Sequence, residues 1–179
     1  MNRCRTRFWR DLACGVVYAA FSFTSADAAD AAAAKFAVMQ IAPGVYCGAA
    51  PNREEEVWRL QQLGMRTVLD MRKYQPLASD REKDSVRARG MTYRHIPVGF
   101  FPTHNGAPEE VLRLMSDPRL RPIYVHCSLG RDRTGLMVAL YRVRWLGWDP
   151  QAAYAAMEQH QYNSLLQDLD RYYWQNVGR

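Results

Sequence analysis

IYVHCSLGRDRTGLMVALYR, residues 123–142, changes character twice. Ile123, Tyr124 and Val125 form an apolar, β-prone run that reads as a buried strand. His126 and Cys127 end it, a polar loop with one glycine follows, and residues 132–147 read as an apolar helix. The unit is strand, loop, helix, with a cysteine at the carboxyl end of the strand and Arg133 six positions on, at the mouth of the helix.

Seven residues, 127–133, join the strand to the helix. A loop of that length can turn successive backbone N–H groups inward and make an anion nest. The helix that follows adds its positive N-terminal end at the same place. Gly130 allows backbone conformations that other residues resist. Arg133 supplies a planar fork of donors matched to two phosphate oxygens. The same field acts on the sulfur of Cys127. A free thiol has a pKa of about 8.5, and a helix N-terminus with a nearby arginine lowers it. A thiolate beside a bound phosphate is placed for in-line attack, giving a cysteinyl phosphate that water later releases.

Working outward, the flanking sequence alternates between strand and helix patterns. Residues 43–48 read as a short strand. Residues 52–64 read as a helix with Asn52 as N-cap and Gly64 as stop. RTVLDM, 66–71, is a buried strand, and 79–90 a helix with Ser79 as cap. TYRHIPV, 92–98, is a strand, and 107–117 a helix. After the central unit, Asp149 caps a helix that has Pro150 at its first position, and 164–177 closes the chain as a helix. The expected fold is α/β, with a central, mostly parallel sheet of four to five strands flanked by helices. Ligands of such sheets bind at the carboxyl ends of the strands, where Cys127 falls.

The first 28 residues read separately. Arg3, Arg5, Arg7 and Arg10 make a basic start, LACGVVYAAFSF (12–23) is apolar, and Ala26 and Ala28 have the small-residue spacing of a cleavage site. This is the pattern of a secretory signal peptide, 1–28, too short in its apolar part to span a bilayer comfortably. A flexible segment, 29–35, and a catalytic domain, 36–179, would follow. Export to the periplasm or the medium, with no stable membrane insertion after cleavage, is the expectation. Cleavage would change the net charge from +6 to +4, with 20 basic and 16 acidic side chains left. A mildly basic balance suits anionic substrates, and no basic run or zinc spacing supports a nucleic-acid partner. Of four cysteines, only Cys47 and Cys127 would remain, which makes no disulfide framework. A regulatory disulfide between those two is the alternative to a buried free thiol at Cys47.

HCSLGRDRTG, 126–135, resembles the H-C-x5-R-[S/T] signature of the cysteine-dependent protein tyrosine phosphatase superfamily. From about 36 to 176 the chain is similar to small dual-specificity phosphatase-like proteins, and PGVYCGAAPNREEEVWRLQQLGMRTVLDMR resembles the opening of exported bacterial members. The resemblance implies that Cys127 is the nucleophile and that Arg133 binds phosphate. It implies that Thr134 stabilises the thiolate as leaving group and that His126 orients the loop and tunes the sulfur. Ser128, Leu129, Gly130, Arg131, Asp132 and Arg133 would form the phosphate cradle. Asp70 and Arg72 would buttress it, or merely end a strand. No metal or other cofactor is expected, and the protein is expected to act as a monomer on a phosphorylated protein or small phosphorylated substrate.

The chain departs from the family's pattern at one point. The family carries a general-acid Asp on a loop before the cysteine, and here that region reads IPVGFFPTHNGAPEE, without Asp. Asp132, His104 and Glu109 are the candidate substitutes. A proton donor matters most for poor leaving groups such as a serine alkoxide. Asp132 also has a bracing alternative, as a partner of Arg72 or Arg131. Phe100 and Phe101 either line a pocket for an aromatic phosphoester or cap a core. The reaction expected is phosphomonoester hydrolysis on phosphotyrosine or mixed phosphoproteins. The alternatives are an inositol phosphate or other small polyanion as substrate, and a non-catalytic phosphate-binding module.

Overall fold

A computed structural model describes residues 36–102 and 106–178. The segments read as signal peptide and flexible leader, 1–28 and 29–35, lie outside the described residues, as does His104.

Five strands form one sheet in the order β1-β2-β5-β3-β4. They are β1 (Val38–Ala42), β2 (Val45–Gly48), β3 (Thr67–Asp70), β4 (Thr92–His95) and β5 (Ile123–His126). β1 pairs antiparallel with β2, and the other pairings are parallel. The mostly parallel α/β sheet expected from the alternation is therefore present, with β5 at its centre. The sequence reading had no place for β1. It pairs with β2 through a turn at Pro43 and Gly44, the latter at φ 76°.

The helices are α1 (Glu54–Gln62), α2 (Pro76–Ala88), α3 (Ala107–Ser116), α4 (Asp132–Leu146), α5 (Pro150–Gln159) and α6 (Gln167–Asn176). Side chains alternate across each strand, so successive residues serve opposite faces. On β5, Ile123 and Val125 join the larger core with Leu69 of β3, Val111 of α3, Leu136 of α4 and Leu169 of α6. Tyr124 faces the other way, with Val68 of β3, Leu60 of α1 and Val86 of α2. α4 is buried nearly all round over its first three turns, which is why it reads as continuously apolar rather than striped. Gly147, at φ 70°, ends it in the left-handed conformation that favours glycine.

Two helix starts differ from the sequence reading. The N-cap of α1 is Arg53 rather than Asn52; Glu56 reaches back to the backbone N–H groups of both, at 2.7 Å from Asn52 and 3.2 Å from Arg53. α2 begins a turn earlier than expected, with Pro76 in its first turn. Ser79 is therefore inside the helix, and its hydroxyl donates to Asp70 at 2.7 Å. Asp149 does cap α5, accepting from the Ala152 N–H at 2.9 Å. The last helix is shorter than the 164–177 expected.

Candidate active site

The loop after β5 curls back on itself and is braced from outside. The Ala50 N–H, just after β2, donates to the Ser128 carbonyl at 3.1 Å. Gly130 sits at φ 71°, and a Cβ there would lie 2.6 Å from the Ala49 nitrogen and closer still to the Gly48 carbonyl. The loop therefore requires glycine on two counts, conformation and clearance. Arg133, on the first turn of α4, is buried. Its guanidinium donates to the Val98 carbonyl at 3.3 Å and, across the loop, to the Ser128 hydroxyl at 3.4 Å. It lies 4.8 Å over the Phe100 ring, a cation–π distance. Its Nε has no hydrogen-bond partner among the described residues. A cavity of about 280 Å³ opens here, lined by Tyr74, Gln75, Phe100, Ser128, Leu129 and Asp132 with Cys127 and Arg133. Phe101 does not join that lining and is 64% exposed.

Electrostatics separate the two cysteines, both free thiols. Burial raises the Cys127 thiol, but the Thr134 hydroxyl, the Arg133 charge and the backbone N–H groups of Thr134 and Gly130 outweigh it, and the net shift is downward. The Thr134 hydroxyl is buried, has no hydrogen-bond partner of ordinary geometry among the described residues, and stands close enough to the sulfur to favour its ionised form. Cys47 sits on β2, opposite Val125 of β5. Burial pushes its thiol up to about 12 against a small opposing effect of Arg142.

Beneath the loop lies a buried polar network. Strand alternation turns Asp70 and His126 away from the Cys127 face, toward α2. Arg72 donates through Nε and Nη2 to both oxygens of Asp70 at 2.8–3.0 Å, and it also bonds Glu82 of α2. Glu82 Oε1 lies 2.8 Å from His126 Nε2, and His126 Nδ1 lies 2.9 Å from the Cys127 carbonyl. Ser79 and Tyr93 each donate to Asp70 at 2.7 Å. Burial alone would lower the pKa of His126; Glu82 and Asp70 more than offset it and raise it. Burial would raise Asp70, but hydrogen bonds from Arg72 and the His126 charge hold it well below the ordinary carboxylate range. Asp70, Glu82 and His126 have the residue types of a metal site, with ligand atoms within 4.8 Å of one another. The Arg72 guanidinium already stands in the cation's place, so the cluster does not fit a metal.

Asp70 and Arg72 thus meet under the loop rather than merely ending a strand. Glu82 carries the network to His126, and sequence reading missed it. In SDREKDSVRARG it looks like one more charge on a solvated helix face, although a helix starting at Pro76 would have turned it inward with Ser79, Ser85 and Val86.

Of the three candidate proton donors, Asp132 alone lines the cavity among the described residues. Its Oδ1 accepts the Asn163 N–H at 2.9 Å, so neither Arg72 nor Arg131 is the partner it braces. Glu109 is excluded by position. It pairs with Arg144 at 2.8 Å and accepts from the Tyr172 hydroxyl at 3.1 Å. Arg144 is twelve residues along α4 from Asp132, about 18 Å at the helical rise.

Comparison with known proteins gives the context of this arrangement. Residues 22–170 match the family model described as DSP-PTPase phosphatase fused to NAD+ kinase. The dual specificity protein phosphatase TpbA of Pseudomonas aeruginosa strain UCBPP-PA14 is 34% identical over 125 residues, 66% of this chain. The chain spans about half, 52%, of that protein's length. The crystal structure of P. aeruginosa TpbA superposes with a TM-score of 0.66 at 27% identity, over 81% of this chain and 88% of that one. A cysteine-to-serine variant of TpbA, in complex with pTyr, superposes with a TM-score of 0.62 at 27% identity, over 76% and 82% of the two chains.

Proposed function

This chain belongs to the DSP-PTPase phosphatase family, and from that premise we propose that it hydrolyses phosphomonoesters through a cysteinyl-phosphate intermediate. Phosphotyrosine, alone or with phosphoserine and phosphothreonine on proteins, is the substrate class. One observation carries the reading: the Cys127 thiol and the Arg133 guanidinium share one small cavity, with the thiol's ionisation favoured by its surroundings.

The chemistry follows from the residues. The Cys127 thiolate attacks phosphorus, the S–P bond forms, and the ester P–O bond breaks. Asp132 gives the departing oxygen its proton. Water, deprotonated by the same carboxylate, then attacks phosphorus and returns the thiolate with inorganic phosphate. Arg133 and the backbone N–H groups of residues 128–133, with that of Gly130 already beside the sulfur, would hold the three non-bridging oxygens. Uncatalysed hydrolysis of these esters is so slow that the site must remove on the order of 20 kcal/mol of barrier. Preorganised donors of this kind supply the largest part. Thr134 steadies the thiolate when it leaves. Glu82 is a positioning residue, acting through His126 on the carbonyl of Cys127. The catalytic unit is taken as 36–179. Export through a 1–28 signal peptide belongs to the same proposal, supported by its basic start, apolar centre and alanine spacing.

The test is turnover of an aryl phosphate by the reduced protein, alongside Cys127→Ser. The native protein should release phosphate and form a phosphoenzyme that rapid quench with denaturant traps on Cys127. The serine variant should bind a phosphotyrosine peptide without turnover. A native protein with no turnover, or a serine variant that retains it, sinks the reading.

A further inference from the structure

The outer edge of β4 is open, and its surroundings carry a charge bias. β4 pairs with β3 on one side only. The Thr92 N–H donates to the Arg66 carbonyl and the Ile96 N–H to the Asp70 carbonyl, both toward β3. Strand alternation then turns the N–H and C=O groups of Tyr93 and His95 outward. Among the described residues, neither backbone amide has a hydrogen-bond partner. Exposed edges of this kind are templates for another strand unless something blocks them.

A groove of about 760 Å³ runs along this edge, between α2 and α3. Its acids are already committed: Asp80 to Lys83 at 2.9 Å, Glu110 to Arg113 at 3.8 Å, and Asp117 to Arg119 at 2.8 Å. Arg87 and Arg94 line the same groove, are exposed, and have no carboxylate partner among the described residues. The surplus charge is positive, and it lies beside unpaired backbone donors.

We propose that this groove binds an extended, acidic protein segment, which adds to β4 as a further strand. Its backbone would take the free N–H and C=O groups of Tyr93 and His95, and its acidic side chains would meet Arg87 and Arg94. This is strand addition, in which main-chain pairing gives affinity and alternate side chains give selectivity. The segment is a peptide rather than a small polyanion, because the unpaired groups are a strand's and come at a strand's spacing.

The groove also leads toward the cavity. β4 ends at His95, and three residues on, the Val98 carbonyl accepts from Arg133. A strand added outside β4 lies three strand spacings from β5, about 14 Å. A chain leaving the groove covers that in about four residues. That use, presenting a phosphorylated residue a few positions beyond the docked strand, rests on the phosphatase reading. The binding itself does not.

The experiment is a titration of the native protein with a fluorescein-labelled peptide of about ten alternating Glu and Thr residues, a common strand length. It is paired with amide hydrogen exchange and needs no turnover, so its failure is separate from failure of the phosphatase reading. Binding should be saturable and weakened by salt. It should slow exchange at Tyr93 and His95. The double variant Arg87→Glu, Arg94→Glu, both exposed and so with unchanged unfolding temperature, should weaken binding about tenfold. N-methylation of alternate peptide residues, on the register that faces β4, should do the same. No saturable binding overturns the proposal. So does binding that ignores both changes, or binding that leaves exchange at Tyr93 and His95 untouched, since the groove would then be only a basic patch.

Discussion

Glu82 Oε1 and His126 Nε2 lie 2.8 Å apart, both buried, although 44 positions separate the residues in the chain. One carboxylate in the middle of α2 thereby reaches the strand that carries the cysteine. It also shares Arg72 with Asp70. Glu82→Gln keeps the shape and removes the charge. The variant should stay folded and lose turnover on the order of 100-fold, as small misplacements in such sites do. A role limited to packing would lower stability without moving the pH dependence. A positioning role moves the pH midpoint of Cys127 alkylation toward the ordinary thiol value, and iodoacetamide kinetics read it directly.

The two thiols predict selective labelling. Cys127 is ionised below the ordinary thiol range, while Cys47 is buried and pushed up to about 12. At neutral pH, iodoacetamide should modify Cys127 and inactivate the protein, with Cys47 left unmodified. Phosphate or vanadate should protect. Peptide mass spectrometry checks the site, and label first on Cys47 would contradict the assignment.

Asp132→Asn separates leaving groups. If Asp132 delivers the proton, alkyl phosphates should slow by about 100-fold or more, the usual range for a lost general acid. Aryl phosphates, whose leaving oxygens need a proton less, should slow much less. Parallel steady-state rates on phosphoserine and phosphotyrosine peptides measure the ratio. Equal losses on both would assign Asp132 to the Asn163 contact alone.

Asp70 sets an acid limit on stability. Its folded pKa is depressed, so its contribution is present above the unfolded value of about 3.9 and is lost as pH falls below it toward the folded value. Asp70→Asn leaves Arg72 with Glu82 as its remaining carboxylate and should cost about 3 kcal/mol at neutral pH. The variant's urea midpoint should then fall less steeply than that of the native protein below about pH 4. Urea titrations at stepped pH compare the two slopes.

Much of this was legible because its signals are local. β5, the loop and α4 follow from one strand-to-helix transition, and Asp149 with Pro150 announced α5. What escaped depends on neighbours distant in sequence. β1 is five residues of mixed exposure, next to an alanine-rich stretch of sequence, and its pairing with β2 is what marks it as a strand. Ser79 looks like a cap until Pro76 starts the helix, after which its hydroxyl turns to Asp70. Glu82 shares a helix face with Ser79 and Val86, but what lets a carboxylate be buried there is Arg72 and His126, which lie elsewhere in the chain. Glu109 lies on the expected helix, but Arg144 and Tyr172 hold it at the far end of α4.

The near-contact of Gly130 with Gly48 and Ala49 has a consequence for protein engineering. The curvature of residues 127–133 is moulded partly by a strap from the neighbouring strand, which Tyr124 anchors in turn by donating to the Ala49 carbonyl at 2.7 Å. Transplanting the ten-residue signature into another sheet would carry its letters without its mould. A working graft needs both pieces, the cysteine loop and the Gly48–Ala50 strap, moved as one part.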